Sequence, residues 1–360
     1  MRAMSGYHVA DATGLIKLDA MENPYRLPPE LRDALGRRLA EVAVNRYPVP
    51  SYRELKAQLR TRFGVPDSAG LVLGNGSDEL ITMLATLLAG LDATVLAPVP
   101  SFVMYQVTSQ LLRLPFVGVP LAPSFALDRG AMLAAISRHR PALIFLADPN
   151  NPTGNAFDVA DVEAVLQAAP GLVVLDEAYE PFAAGNWMAR LAQYPNLAVL
   201  RTLSKLGLAG ARLGFLAAGA DWIEQLEKVR LPYNVGVLNE AAVCFALEHA
   251  DLFAGQAAEI RAERGRLIDA LTRLVAPAGL AEVFPSQANF VLVRVAGDRA
   301  GDSAGRSLRV AARMRDAGVL IKDVSRMHPL LAQCLRLTVG LPEENRRMLA
   351  ALTQALAAAG

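Results

Sequence analysis

Leu200 to Gly214 reads LRTLSKLGLAGARLG, and its one lysine decides how the rest of the chain is understood. Lys205 follows an apolar run and is itself followed by small and aliphatic residues as far as Arg212. Such a setting disfavours the charged ammonium, and a neighbouring cation disfavours it further. The neutral amine is then a nucleophile toward a carbonyl, the chemistry that makes a Schiff base. Thr202, Ser204 and Arg212 add the hydroxyls and guanidinium that hold a phosphate. A carbonyl and a phosphate on one ligand point to pyridoxal phosphate. A lone Ser-Lys pair after a strand is ordinarily a solvated turn, so this reading depends on what else the chain brings to it.

Working outward, the preceding chain alternates apolar strands with helices. Leu71 to Leu73 reads as a short strand running through Gly74-Asn75-Gly76-Ser77-Asp78-Glu79 into a helix over Asp78 to Leu88. Glycine lets backbone approach a ligand closely, and a helix N-terminus offers unpaired amides to an anion. Gly76, Ser77 and Asp78 therefore form a candidate phosphate cup, with the Asp78 carboxylate expected to point away. Ala93 to Ala97 is a strand after which Phe102 and Tyr105 start a helix; Phe102 is suited to stacking on a flat ring or to the core. Ala142 to Leu146 is a continuous apolar strand of the kind a parallel sheet buries on both faces. It ends in Asp148-Pro149-Asn150-Asn151-Pro152-Thr153-Gly154, where two prolines and a glycine hold Asn151 in one place. Leu172 to Leu175 ends in Asp176-Glu177-Ala178-Tyr179, and Leu197 to Arg201 leads to Lys205. Ligands of open parallel sheets bind beyond the carboxyl ends of the strands, so the Gly76 cup, Asn151, Asp176 with Tyr179, and Lys205 should converge.

Around this region lie an arm and a smaller unit. Asn23-Pro24-Tyr25 and Pro28-Pro29 mark extended backbone before a helix through Arg32 to Val44. Asn45-Arg46-Tyr47-Pro48 is a loop, and Ser51 with Glu54 reads as a helix cap. Leu226 to Ile268 is mostly helical beyond a break at Pro232, with Arg261, Glu263, Arg264 and Arg266 as a solvated face. From Gly279 the chain mixes strands and helices, with Gly297 to Gly305 as a loop. The expected fold is α/β, a large domain with a mostly parallel sheet flanked by helices beside a smaller α+β domain. Residues 1–35 are assigned to an arm joining the small domain, 36–265 to the large ligand-binding domain with its connecting helix, and 266–360 to the small domain.

Composition narrows the function. With 360 residues and 53% hydrophobic content the chain can bury a large core in two domains. Lys and Arg number 36 against 35 Asp and Glu, so there is no basic field for nucleic acid or an anionic membrane, and any anion site is local. Cys244 and Cys334 lie far apart and the histidines are scattered, which gives no metal or disulfide framework. Leu80 to Leu91 is too short to span a membrane and reads as a buried helix. No signal peptide is read at the start, and a cytoplasmic location is expected.

ENPY at Glu22, NRYP at Asn45, GNGSDE at Gly74, NNPTG at Asn150, DEAY at Asp176, TLSK at Thr202, LAGARLG at Leu208 and LRLTVG at Leu335 together resemble the histidinol-phosphate aminotransferase family. That family lies in the fold-type I group of pyridoxal phosphate enzymes, and the resemblance covers nearly the whole chain. It implies an amino-group transfer between histidinol phosphate and 2-oxoglutarate in histidine biosynthesis. Lys205 would bind the cofactor covalently and then move a proton between the substrate Cα and the cofactor C4′. Asp176 would face the pyridine nitrogen, Asn151 and Tyr179 the ring oxygen, and Phe102 the ring face. Gly76, Ser77, Asp78, Thr202, Ser204 and Arg212 would bind the cofactor phosphate, with Tyr47 reaching it from the neighbouring subunit of a homodimer with shared active sites. Tyr25, Asn151, Lys322 and Arg336 would face the substrate.

Three departures from the family pattern stand out. Phe102 replaces the commoner tyrosine, Lys205 and Arg212 are one residue closer than usual, and Lys322 stands where an arginine is common. A phosphothreonine decarboxylase, a broad or aromatic amino acid aminotransferase, and a non-catalytic regulator on the same fold are the rival readings. The last ordinarily carries a DNA-binding segment, for which this chain has neither the length nor the charge.

Overall fold

The computed structural model describes residues 10–275, 279–297 and 305–358. The arm carries β1 (Ile16–Lys17) and is followed by helices α1 (Pro29–Ala40) and α2 (Arg53–Phe63). Strands and helices then alternate through β2 (Ala69–Gly74), α3 (Ser77–Thr86), β3 (Val95–Val99), α4 (Met104–Leu111), β4 (Phe116–Pro120), α5 (Arg129–His139), β5 (Leu143–Ala147), α6 (Val159–Ala168), β6 (Leu172–Asp176), β7 (Leu197–Thr202) and β8 (Gly214–Gly219). Helices α7 (Ala220–Val229), α8 (Val237–Glu248) and α9 (Ala250–Thr272) lead to β9 (Leu280–Val283), β10 (Phe290–Val295), α10 (Gly305–Asp316), β11 (Val319–Leu320), β12 (Lys322–Asp323), β13 (Cys334–Thr338) and α11 (Pro342–Ala358).

Among the described residues, seven strands form one sheet in the order β2-β8-β7-β6-β5-β3-β4. It is mostly parallel, as expected; β8 is reversed and pairs antiparallel with both β7 and β2. Every residue of β5 is buried because the sheet is covered on both faces. Alternate residues serve different faces: Ile144 and Leu146 pack with Val173, Leu175 and Val199 on one side, whereas Leu143, Phe145 and Ala147 pack with Val174 and Ala198 on the other.

A second, antiparallel sheet runs β12-β13-β10-β9. Its core joins Phe290, Val291 and Val293 to Ile260, Val310, Met348 and Leu352 of the adjoining helices. The arm is tied to this part of the molecule: β1 pairs in parallel with β11, Asn289 Nδ2 donates to Met21 O at 2.9 Å, and the Met21 amide donates to Thr338 Oγ1 at 3.2 Å.

Several local expectations fail for tertiary reasons. Ser51 does not cap α2; Tyr52 occupies that position at φ 44°, because its ring is buried and its hydroxyl donates to Val235 O at 2.9 Å. Helix α1 stops at Ala40, short of the expected Val44. The apolar run from Leu80 leaves the helix after Thr86, and Leu91 is exposed. Glu263 is buried, with its carboxylate accepting from Asn345 Nδ2 at 2.9 Å and from Arg266, and Arg264 donates to the carbonyls of Phe182 and Ala288. The expected solvated face is therefore half a helix-docking surface. The expected Gly297–Gly305 loop falls largely on residues outside those described.

Candidate active site

The parallel strands of the large sheet all deliver their carboxyl ends to one edge, where β2 also leaves and β8 enters. A cavity of about 250 Å³ opens there. Ser77, Asp78, Asn151, Asp176, Tyr179 and Lys205 all line it, together with Phe102, Thr202, Ser204 and Arg212. The arm supplies a further wall through Ala20, Met21 and Glu22.

Lys205 follows β7 and donates from Nζ to the Ala20 carbonyl at 3.1 Å. Desolvation brings its pKa from 10.5 to about 8; the Arg336 and Arg212 cations act in the same direction, while Glu22 and Asp78 oppose them. Near-neutral pH therefore leaves a usable fraction of free amine.

Asp176 ends β6 and is buried. Tyr105 Oη donates to its Oδ2 at 2.7 Å, and the Ala178 amide donates to its Oδ1 at 3.1 Å. Burial raises the carboxyl pKa from 3.8 to about 6 against these two donors, so the group is ionised at pH 7. The residue beside it is structural. Glu177 forms a buried pair with Arg201 at 2.7 Å and accepts from the Trp187 amide.

The segments expected to form a phosphate cup come together from two distant parts of the chain. Gly76 sits at φ 88°, and a Cβ there would lie 2.6 Å from Arg212 Nη2, so the guanidinium rests directly against the turn that starts α3. The tight Lys205–Arg212 segment is accommodated by Gly207 at φ 129° and by Arg212 itself in a left-handed conformation at φ 47°. Thr202 Oγ1 donates to Ser204 Oγ at 2.9 Å, which places both hydroxyls at this end of the cavity. Asp78 does line the cavity, and its negative charge acts on both Asp176 and Lys205.

At the other end, Arg336 of β13 is buried and donates from Nη1 to Asn151 Oδ1 at 2.6 Å and from Nη2 to Asp19 O at 2.8 Å. The loop holding Asn151 is fixed by its neighbour Asn150, which accepts from Ser101 Oγ at 2.8 Å and donates to Thr153 Oγ1 at 2.7 Å. Lys322 lies directly across from Arg336 in the β12–β13 pair, so the two cations share one face of the sheet.

Five expected site residues do not line this cavity: Gly76, whose turn meets it through Arg212; Arg336 and Lys322, which stand on the smaller sheet beyond Asn151; and Tyr25 and Tyr47. Tyr25 packs against the core of the smaller sheet. Tyr47 is 79% exposed and stacks on Tyr233, with ring centroids 4.5 Å apart. Four residues at or beside the cavity were not expected: Glu22, Asp19 and Ala20 through their backbone carbonyls, and Tyr105. The signal for Tyr105 was its place three residues after Phe102 at a helix start; the arm carbonyls leave no trace in residue type.

The sequence model of the family described as "Aminotransferase class I and II" matches residues 13–352. A protein of Ralstonia nicotianae named histidinol-phosphate aminotransferase 1 is 57% identical over 99% of this chain and 93% of its own. The crystal structure of a histidinol-phosphate aminotransferase from Sinorhizobium meliloti in complex with pyridoxal-5'-phosphate superposes with a TM-score of 0.83 at 27% identity, covering 96% of this chain and 92% of that one. L-threonine-O-3-phosphate decarboxylase from Porphyromonas gingivalis shares the fold, with a TM-score of 0.77 at 22% identity over 94% of this chain and 99% of its own.

Proposed function

The chain belongs to the class I and II aminotransferases, in their histidinol-phosphate branch, and from that premise we propose how its residues carry out the reaction. It is a pyridoxal phosphate-dependent enzyme that transfers an amino group from histidinol phosphate, a step of histidine biosynthesis. The observation that carries this reading is the convergence of Lys205 and Asp176 on one cavity, with Arg212 beside the Gly76 turn at one end of the site and Arg336 bonded to Asn151 at the other.

The residues present fit the cofactor. The Gly76 turn leaves the space a Cβ would fill, next to a guanidinium and the N-terminus of α3, which is the donor set a phosphate requires. The amides of Ser77 and Asp78, the hydroxyls of Thr202 and Ser204, and Arg212 would hold that phosphate. Asp176 would hold the proton on the pyridine nitrogen, and Phe102 would cover a ring face. With Asn151 Oδ1 turned to Arg336, the Asn151 amide hydrogens and the Tyr179 hydroxyl are the donors for the ring oxygen. When bound, the cofactor supplies an aldehyde that exchanges the amino group and a ring that accepts electrons from the substrate Cα. The Lys205 amine would serve as the base that takes the proton from the substrate Cα. Arg336 and Lys322 would receive the substrate phosphate, with Tyr25 as the arm's contribution.

We assign residues 36–265 and 266–360 to the large and small domains, with the boundary inside α9, and 1–35 to the arm. A homodimer in the cytoplasm completes the proposal, with Tyr47 reaching the partner's cofactor phosphate. Its support is an exposed apolar surface in which Val44, Tyr47, Val49, Leu231 and Tyr233 stand together on two neighbouring segments. No described helix is long and apolar enough to cross a membrane.

The purified protein, given histidinol phosphate and 2-oxoglutarate, should form glutamate. Release of carbon dioxide from O-phosphothreonine, or a preference for phenylalanine, would replace this reading with one of its rivals.

A further inference from the structure

Among the described residues, the side-chain hydrogen bond that reaches Asp176 comes from Tyr105. Tyr105 is 1% exposed in the first turn of α4. Its ring lies flat on Phe145 of β5, with centroids 4.4 Å apart and 1° between the planes, and meets Phe102 edge-on at 5.6 Å. A phenol packed this way has no room to swing, so the 2.7 Å contact with Asp176 Oδ2 is imposed by the core.

We propose that Tyr105 is a positioning residue for the cofactor: its hydroxyl holds Asp176 as an oriented carboxylate toward the pyridine nitrogen. The inference rests on the cofactor reading above. The other groups facing Asp176 are the Ala178 amide and Lys205, which favour its charge, and the Asp78 carboxylate, which opposes it. Against the desolvation of a fully buried carboxyl, the Tyr105 hydrogen bond is the largest of the favourable contributions. The phenol stays a donor throughout the working range, because burial and the adjacent Asp176 charge push its own pKa well above 10. Each Asp176 oxygen accepts one protein hydrogen bond and keeps a lone pair for the ligand.

The test uses pyridoxine 5′-phosphate, which lacks the aldehyde and so binds without condensing with Lys205. Its affinity for the cofactor-free protein is measured by calorimetry from pH 5.5 to 8.5, for the unmodified chain and for Tyr105→Phe, which keeps the ring stack and removes the hydroxyl. Both proteins meet the same ligand ionisations, so the difference between their profiles reports Asp176. Losing a charge-assisted hydrogen bond should move the fall in affinity upward by about one to two pH units. The variant should therefore bind about ten-fold more weakly near pH 6.5 and nearly normally at pH 8.5. In an Asp176→Asn background, adding Tyr105→Phe should change nothing at either pH. An equal loss at all pH values, no loss, or the same loss in the Asn background overturns the proposal. Failure of the unmodified protein to bind the probe at any pH overturns the cofactor reading, and this inference with it.

Discussion

Arg336 Nη1 lies 2.6 Å from Asn151 Oδ1, a bond that joins the smaller antiparallel sheet to the loop after β5 across 185 residues of sequence. The same guanidinium is pinned by the Asp19 carbonyl. One cation on β13 thus ties the smaller sheet to two other parts of the chain, the loop after β5 and the arm.

Arg336→Ala should lower kcat/KM for histidinol phosphate by roughly 100-fold, the loss expected for a charge-assisted pair worth about 2 to 3 kcal/mol. Lys322→Ala should harm histidinol phosphate more than phenylalanine, since a dianion uses both cations, and Lys322→Arg should be tolerated. Steady-state kinetics with the two substrates decide the matter. An equal loss for both would mean that Lys322 does not read the phosphate.

Lys205→Ala should abolish transfer while leaving cofactor binding through the phosphate cup, measurable by equilibrium dialysis. Normal turnover in this variant would remove Lys205 from the mechanism.

Lys205 also sets a pH dependence. Its folded value of about 8 lies below the ordinary 10.5. Between these values the unfolded chain binds a proton the folded chain does not, so stability of the cofactor-free protein gains from this group as pH rises through that window. Below pH 8 the full cost of the buried cation is present. Lys205→Met should therefore raise the urea midpoint at pH 7 and lose that advantage near pH 10.5. Uptake of pyridoxal phosphate by the unmodified protein, followed by absorbance, should accelerate with pH around a midpoint near 8. A flat rate between pH 7 and 9 would contradict this.

Arg201→Ala should destabilise the fold by roughly 3 to 5 kcal/mol, because it leaves Glu177 buried without its cation. Burial already raises the Glu177 pKa from 4.5 to about 7 despite Arg201. Without Arg201 it rises further, so the penalty should be smaller at pH 5.5, where the carboxyl is neutral, than at pH 8.5. Urea unfolding at both pH values checks the sign.

Mixing Lys205→Ala with a Tyr47 variant of low activity should restore activity, since each hybrid dimer would assemble one intact site. Hybrids that form, as seen by mass, but stay inactive would show that Tyr47 does not act across the interface.

Some of this was legible from residue order alone. Continuous apolar runs such as Leu143 to Ala147 specify strands buried on both faces, and the polar residues that end them must lie at the sheet edge; Asp176 and Lys205 were found that way. The expected helix cap at Ser51 and the solvated face at Glu263 failed because a buried Tyr52 ring and a docking α11 outweighed local preference. The reversal of β8, the Tyr105 bond to Asp176 across 71 residues, and the contact of Arg336 with Asn151 were decided only in three dimensions. Periodicity reports which face of an element meets the core, a property of neighbours along the chain. Which side chain meets which depends on how those faces pack, and the arm's contribution at Asp19 and Ala20 comes through backbone carbonyls that every residue possesses.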